Sequence, residues 1–312
     1  MKIFVAGATG AIGLPLVRAL CTLGHQVTGM TRAGRGVDRL RELGAEEPRA
    51  ADAFDPKAVR TAIEAASPDV VIDQLSSLPA NPADILKSIP NDTRLHREGG
   101  GNLLAAAQEL GVGRYILQSK GFYLDAPAGQ LAHESAKLRY DAPGVIGEST
   151  RTIGAYEDRV LASPPLDGVV LRYGFFYGPG TWYRPGGAVA DQLRKGEASI
   201  IGEGNANWSF VHIDDAIAAT VASLTAEPGV YNIVDDDPLS VAEWLPAFAR
   251  WVDAPEPPRV SVEDALKAAG AEAVYFHTRL TGAANSRAKA QLGFTPRPLL
   301  WKPHLRRGLK GA

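Results

Sequence analysis

Gly7, Gly10 and Gly13 carry the clearest chemical signal in this sequence. An apolar run over residues 3–6 leads into them, and a helical apolar pattern through Leu16, Val17 and Leu20 follows at once. In a strand, turn and helix of this order, unpaired backbone N–H groups and the positive end of the helix dipole face the place where a dinucleotide pyrophosphate can sit. Gly7 permits the tight turn, Gly10 lets the backbone approach the phosphates and Gly13 lets the helix lie close on the strand, with Thr9, Ala11 and Ile12 completing the loop. The alternative is an ordinary glycine-rich turn, and the strand and helix in their required places argue against it.

A second group lies where the next strand should end. An NAD-preferring site usually has an acid there to accept bonds from the adenosine ribose. This chain has Thr31 and Arg32, with Arg35 three residues on. A guanidinium can hold a ribose 2'-phosphate through paired charge-assisted bonds and can stack on adenine, so NADP is expected over NAD. The other reading of Arg32 is a solvated loop arginine.

These groups need a scaffold, and the hydrophobic pattern supplies one. Strands are expected over residues 3–6, 25–30, 46–51 (weakly), 70–72, 114–118 and 168–173, with helices between them. Asp55-Pro56 opens one helix, residues 37–43 form another, and longer ones cover 93–110 and 150–162. Prolines at 79, 82 and 90 mark residues 76–91 as mainly loop, and residues 124–148 look irregular. Six strand–helix alternations call for an α/β fold, a doubly wound parallel sheet of the Rossmann kind.

The rhythm breaks after Gly174. A helix at 191–195, strands at 209–213 and 230–234, and a helix at 214–224 follow, then helices at 241–251, 263–269 and 286–292 and a basic C-terminal helix. The expected division is a dinucleotide domain over 1–175, rejoined by 207–234, with a smaller substrate-covering domain from 176–206 and 235–312.

The 312 residues, 45% hydrophobic and 22% charged with a net charge of -2, suit a globular protein without general attraction to nucleic acid or an acidic membrane. The lone Cys21 falls in the apolar pattern of the first helix, no metal is expected, and no apolar run is long enough to span a membrane. A cytoplasmic location is expected.

The chain resembles the extended short-chain dehydrogenase/reductase family, the NAD-dependent epimerase/dehydratase group, over nearly its whole length. The likeness rests on residues 7–13, on Asp52, and on Ser119 to Tyr123. It continues through Leu171-Arg172, Tyr177-Gly178-Pro179-Gly180, Phe210-Val211-His212-Ile213-Asp214-Asp215, Val230-Tyr231-Asn232 and Leu292-Gly293-Phe294. The resemblance implies that Asp52 and Ala53 lie by the adenine, Leu75 and Ser76 line the ribose and nicotinamide side, and Tyr173, Phe175 and Phe176 meet the nicotinamide. It places Ser119 where the family's catalytic serine or threonine stands. Dimerisation through two helices is the family's habit, and a homodimer is expected by that analogy.

One departure matters. The family's tyrosine and lysine, four residues apart on one helix face, form a proton relay. None of the nine tyrosines here has a lysine four residues on. Counting back from Glu157, which looks like the family's glutamate, the pair would fall at Ser149 and Ile153. Ser119, Lys120 and Tyr123 are then the candidate catalytic groups, the alternatives being a hydroxyl that satisfies the strand end for Ser119 and an aromatic packed over the cofactor for Tyr123. Phe122, Tyr177, Trp182, Tyr183, Trp208, Tyr275 and Arg279 are candidates to line a substrate pocket, or to pack as core.

The expected function is an NADPH-dependent reductase acting on a carbonyl or activated double bond of a hydrophobic small molecule. The alternatives are an NADP(H) sensor without turnover, and an epimerase or isomerase.

Overall fold

Six strands and six helices build the first half, alternating except where α4 and α5 follow one another between β4 and β5. They are β1 (Lys2–Ala6), α1 (Gly13–Thr22), β2 (Gln26–Thr31), α2 (Gly34–Glu42), β3 (Arg49–Ala50), α3 (Pro56–Ala66), β4 (Val70–Asp73), α4 (Ile85–Arg94), α5 (Gly101–Glu109), β5 (Arg114–Lys120), α6 (Gly144–Leu161) and β6 (Asp167–Tyr173). The computed structural model describes residues 1–302 except 33 and 128. The expected basic C-terminal helix falls beyond residue 302, outside the described residues.

A seventh strand, Gly229–Ile233, joins β6, and the seven run in the order Gly229–Ile233, β6, β5, β4, β1, β2, β3. Every pairing is parallel. The order reverses between β1 and β4, so the crevice at their C-terminal ends is the topological switch point where such sheets bind ligands.

The two faces of the sheet are covered differently. Leu16, Val17 and Leu20 of α1 pack with Ala216 and Ile217 of the helix Ile213–Ala222 on one side. Val59 and Ile63 of α3, Leu103 and Leu104 of α5, and Tyr156 and Val160 of α6 cover the other. Fully burying one such aliphatic side chain is worth about 1.5–3 kcal/mol, so both helix layers hold on to the sheet. A third core, rich in Trp208, Phe210, Trp244, Phe248 and Trp301, gathers the second half of the chain.

Local signals explain most boundaries. The Asp55 carboxylate caps α3 by accepting from the N–H groups of Lys57 and Ala58, with Pro56 at the first helical position. Other boundaries differ from the sequence expectation. The weak third strand is only Arg49–Ala50, and α2 begins at Gly34. Residues 76–91 are not mainly loop, because α4 starts at Ile85 and carries Pro90 inside it. The burial of Ile89, Asp92 and Thr93 outweighs the proline's lost backbone bond. The helix expected over 93–110 is thus the end of a longer rod, in which a π-helical turn, Leu95–Gly100, joins α4 to α5. α6 starts six residues earlier than expected, at Gly144. The helix expected at 263–269 runs on to Thr278 through a kink at Gly270, whose φ is 84°.

Candidate active site

The glycine turn is as tight as its sequence demands. Gly7 has φ of 72°, and a Cβ there would stand 2.3 Å from the Gln74 carbonyl oxygen. A Cβ on Gly13 would stand 2.2 Å from the Gly7 carbonyl oxygen. Thr9 is half-buried, and Gly10 and Ala11 lie exposed at the rim. Among the described residues, the N–H groups of Ala11 and Ile12 have no backbone partner. These free donors and the absent side chain at Gly10 form the cradle a pyrophosphate needs, so the residues present fit a dinucleotide.

Beside the turn lies a cleft of about 320 Å³ lined by Thr9, Thr31, Arg32, Arg35, Gly36 and Arg39. The Thr9 and Thr31 hydroxyls are 3.3 Å apart. Among the described residues, Arg32, Arg35 and Arg39 have no carboxylate partner, whereas Arg41 on the same helix is paired with Asp38. Arg39 is missing from the sequence-based group, although its spacing of four from Arg35 puts both on one face of α2.

Asp52 is exposed and its carboxylate accepts from the Phe54 N–H, while Ala53 is buried under Gly99. The Leu75 N–H donates to Asp73 at the end of β4. Ser76 is exposed and its hydroxyl reaches toward Asp92 at 3.4 Å, and the Ser77 N–H donates to the same oxygen at 2.7 Å.

Lys120 and Ser119 end β5, and their side chains do different things. The Ser119 hydroxyl donates to Glu157, whose carboxylate is also held by two nitrogens of Arg172. Its one proton is committed to Glu157, while its oxygen can still accept a bond. The Lys120 ammonium instead donates to Asp92 Oδ2 and to Ser149 Oγ, each at 3.0 Å. Ser149 and Ile153, where the family pair would fall, are both buried on α6.

Asp92 is 1% exposed, and His96 Nε2 lies 3.4 Å from the same oxygen that Lys120 contacts. Burial pushes the Asp92 carboxyl up, but the charges of Lys120 and His96 and the Ser77 N–H outweigh it and hold the group well below the usual carboxylate range. The site is a buried ion pair, complete with hydrogen bonds. Asp92 and His96 escape sequence reasoning because their segment looks like a loop end, although a spacing of four on a helix is the signal that could have found them.

The remaining candidates separate into two groups. Tyr123 is buried, and burial with Tyr275 and Asp92 nearby pushes its hydroxyl far above the ordinary range, so it stays a neutral phenol. Tyr275 is also buried, its hydroxyl pushed up to about 12 by burial first, and Arg279 is exposed at the end of that helix. Tyr173 and Phe176 pack with the core beside α1, where the Tyr173 hydroxyl meets Thr220. Tyr177 is fully buried against His212 and Trp301, and Trp208 and Tyr183 belong to the same core.

Phe122, Phe175 and Trp182 keep partial exposure. Phe175 stacks between Phe122 and Trp208 at 4.4 and 4.0 Å. The Trp182 indole N–H donates to the Pro79 carbonyl and ties down the loop after β4.

A parallel sheet with a glycine turn at its switch point and free amides above it defines a dinucleotide-binding protein of the doubly wound class. The chain belongs to the NAD dependent epimerase/dehydratase family, whose profile matches residues 3–234. It is an oxidoreductase of the reductase type that uses a nicotinamide dinucleotide.

Among its relatives is the 3-diazoavenalumate denitrifying reductase of a Streptomyces species, 37% identical over 308 residues, 98% of this chain and 100% of that protein. The 2-alkyl-3-oxoalkanoate reductase of Stenotrophomonas maltophilia is 28% identical, over 82% of this chain and 77% of that protein. Among solved structures, the UDP-glucose 4-epimerase of Thermotoga maritima superposes with a TM-score of 0.75 at 20% identity, covering 97% and 96% of the two chains. At that identity the likeness is one of fold. No described helix is long and apolar enough to cross a membrane.

Proposed function

We propose that this enzyme is an NADPH-dependent reductase that delivers hydride to an electron-poor multiple bond of a hydrophobic small molecule. Such a bond is a carbonyl, a conjugated double bond or, following the name of the Streptomyces relative, a diazo group. The carrying observation is Lys120, whose ammonium stands against Ser149, where the family's tyrosine would fall. Bound NADPH would supply the hydride.

Each group in this chain then has a task. Ala11 and Ile12 offer N–H groups to the pyrophosphate, and Arg32, Arg35 and Arg39 hold the 2'-phosphate. As hydride reaches the acceptor, an electron pair moves to its distal atom, and the Lys120 ammonium stabilises that charge or gives it a proton. Solvent restores the proton afterwards. A diazonium acceptor would need no such proton, because hydride addition at the terminal nitrogen gives a diazene that loses N₂. Phe122, Phe175 and Trp182, with residues 176–206 and 235–302, cover the acceptor and exclude water.

The test follows NADPH absorbance with a panel of aryl diazonium salts, enones, imines and ketones, comparing wild type with Lys120→Met. The variant should lose about 100-fold in kcat on acceptors that need a proton, while NADPH affinity holds. Equal turnover by Lys120→Met on every such acceptor overturns the assignment of Lys120. For the cofactor, Arg32→Ala should weaken NADPH binding about tenfold, the equivalent of ~1.4 kcal/mol, and leave NADH binding unchanged. Unchanged NADPH affinity overturns the NADP preference.

A further inference from the structure

We propose that Asp92 and His96 are positioning residues that hold the Lys120 ammonium aimed, with one N–H left for the substrate. The inference rests on the reading of Lys120 as the group that meets the acceptor. It concerns residues on a different element, the helical rod beside β5.

Four parts of the chain meet here. Lys120 comes from the end of β5, Asp92 from the last turn of α4, His96 from the π-helical turn and Ser149 from α6. The two carboxylate oxygens of Asp92 divide the work. Oδ1 accepts from the Ser77 N–H at 2.7 Å and fixes the loop after β4, and Oδ2 faces Lys120 Nζ at 3.0 Å and His96 Nε2 at 3.4 Å. A carboxylate gripped from both sides cannot rotate away from the lysine, which makes it a fixed reference for the ammonium.

An ammonium has three donors, and two of these point to Asp92 and Ser149. The third has no protein partner among the described residues, and the Lys120 side chain keeps 17% of its surface exposed, against 1% for Asp92. The opening is therefore at the lysine, not at the acid. Burying Asp92 unpaired would be costly, so the carboxylate keeps the lysine beside it.

His96 adds a second feature. Its Nδ1 is buried with no partner among the described residues, while Nε2 faces Asp92. It sits in a π-helical turn, a distortion that recurs at functional sites. The titratable groups facing Asp92 are Lys120 from β5, His96 from the π turn and Tyr123 from the loop after β5.

The experiment uses the full-length protein and two readouts. In protein labelled with ¹⁵N-lysine, the hydrogen-bonded Lys120 ammonium should give a slowly exchanging resonance, assigned by its loss in Lys120→Met. Asp92→Asn, which keeps the shape and can still accept from Ser77, should abolish that resonance, and His96→Phe should weaken it while His96→Gln preserves it. With an acceptor from the panel, Asp92→Asn should lower kcat about 100-fold and leave the KM for NADPH within about twofold.

A Lys120 resonance that persists in Asp92→Asn overturns the proposal, as does a parallel loss of NADPH binding and thermal stability, which would mark Asp92 as structural. If Lys120→Met is as active as wild type, the reading of Lys120 fails. If Lys120→Met is inactive and Asp92→Asn fully active, only the positioning role fails.

Discussion

Adjacent residues at the end of β5 turn to different partners, Ser119 to Glu157 and Lys120 to Asp92 and Ser149. Ser119 gives its proton to a glutamate already clamped by arginine, so its hydroxyl serves the fold. Ser119→Ala should therefore cost about 1.5–3 kcal/mol in chemical denaturation, the worth of a hydrogen bond to a charged group, and leave NADPH affinity unchanged. A variant of wild-type stability would refute this account. The sequence places both residues at the strand end but cannot divide them. The deciding partners, Glu157, Asp92 and Ser149, are distant in the chain and meet only in the fold.

At the scale of elements, the rod from α4 through the π turn to α5 governs how closely α6 can approach. Gly100 is the contact point, where a Cβ would stand 2.5 Å from the Tyr156 ring. The Tyr156 hydroxyl bonds to the Gly100 carbonyl and to Asp73, which also accepts from Tyr115, so the ring cannot swing aside without breaking a buried network. Gly100→Ala should destabilise the protein by about 1–3 kcal/mol, the usual cost of overpacking, measured as a lower denaturant midpoint at unchanged slope. An unaltered midpoint would show that the helices can part. This rod is the element the sequence rendered worst. Pro90 and its neighbouring prolines signal loop, and a π turn leaves no periodicity that short apolar counts can detect. The glycine turn, by contrast, was legible because its geometry is local, with Gly7 and Gly13 each excluding a Cβ that would strike backbone.

For the molecule as a whole, two buried groups set opposing pH responses. Asp235 is buried with no partner for either carboxyl oxygen among the described residues, and burial and then Asp237 raise it to about 8. Its stabilising contribution is full below the unfolded value of 3.8 and is lost as pH rises through about 8. Burial lowers His277 to about 4, so its contribution is present above 6.5 and is lost as pH falls toward 4. Of these two effects only that of Asp235 is still changing between pH 6.5 and 8, where it should lower Tm. Asp235→Asn should flatten the fall, as a Tm series would show, and an undiminished slope would count against it. The alternation that predicts the doubly wound sheet was plain in the sequence, since parallel buried strands are continuous apolar runs such as Val70 to Ile72. The second half was less plain, because its two-residue strands take their pairing from tertiary contacts.

The strand Gly229–Ile233 has one more consequence, in the order of assembly. It pairs only with β6, which ends at Tyr173, more than fifty residues earlier. A chain leaving the ribosome can lay down six strands while the outer edge of β6, with Val169, Val170 and Leu171, still lacks its neighbour. During that interval the edge is an unpaired apolar template for any other strand, and closing it requires a long-range contact. Chains ending before residue 229 would carry β6 as the sheet edge permanently, in place of the short strand Gly229–Ile233 that forms it in the folded protein.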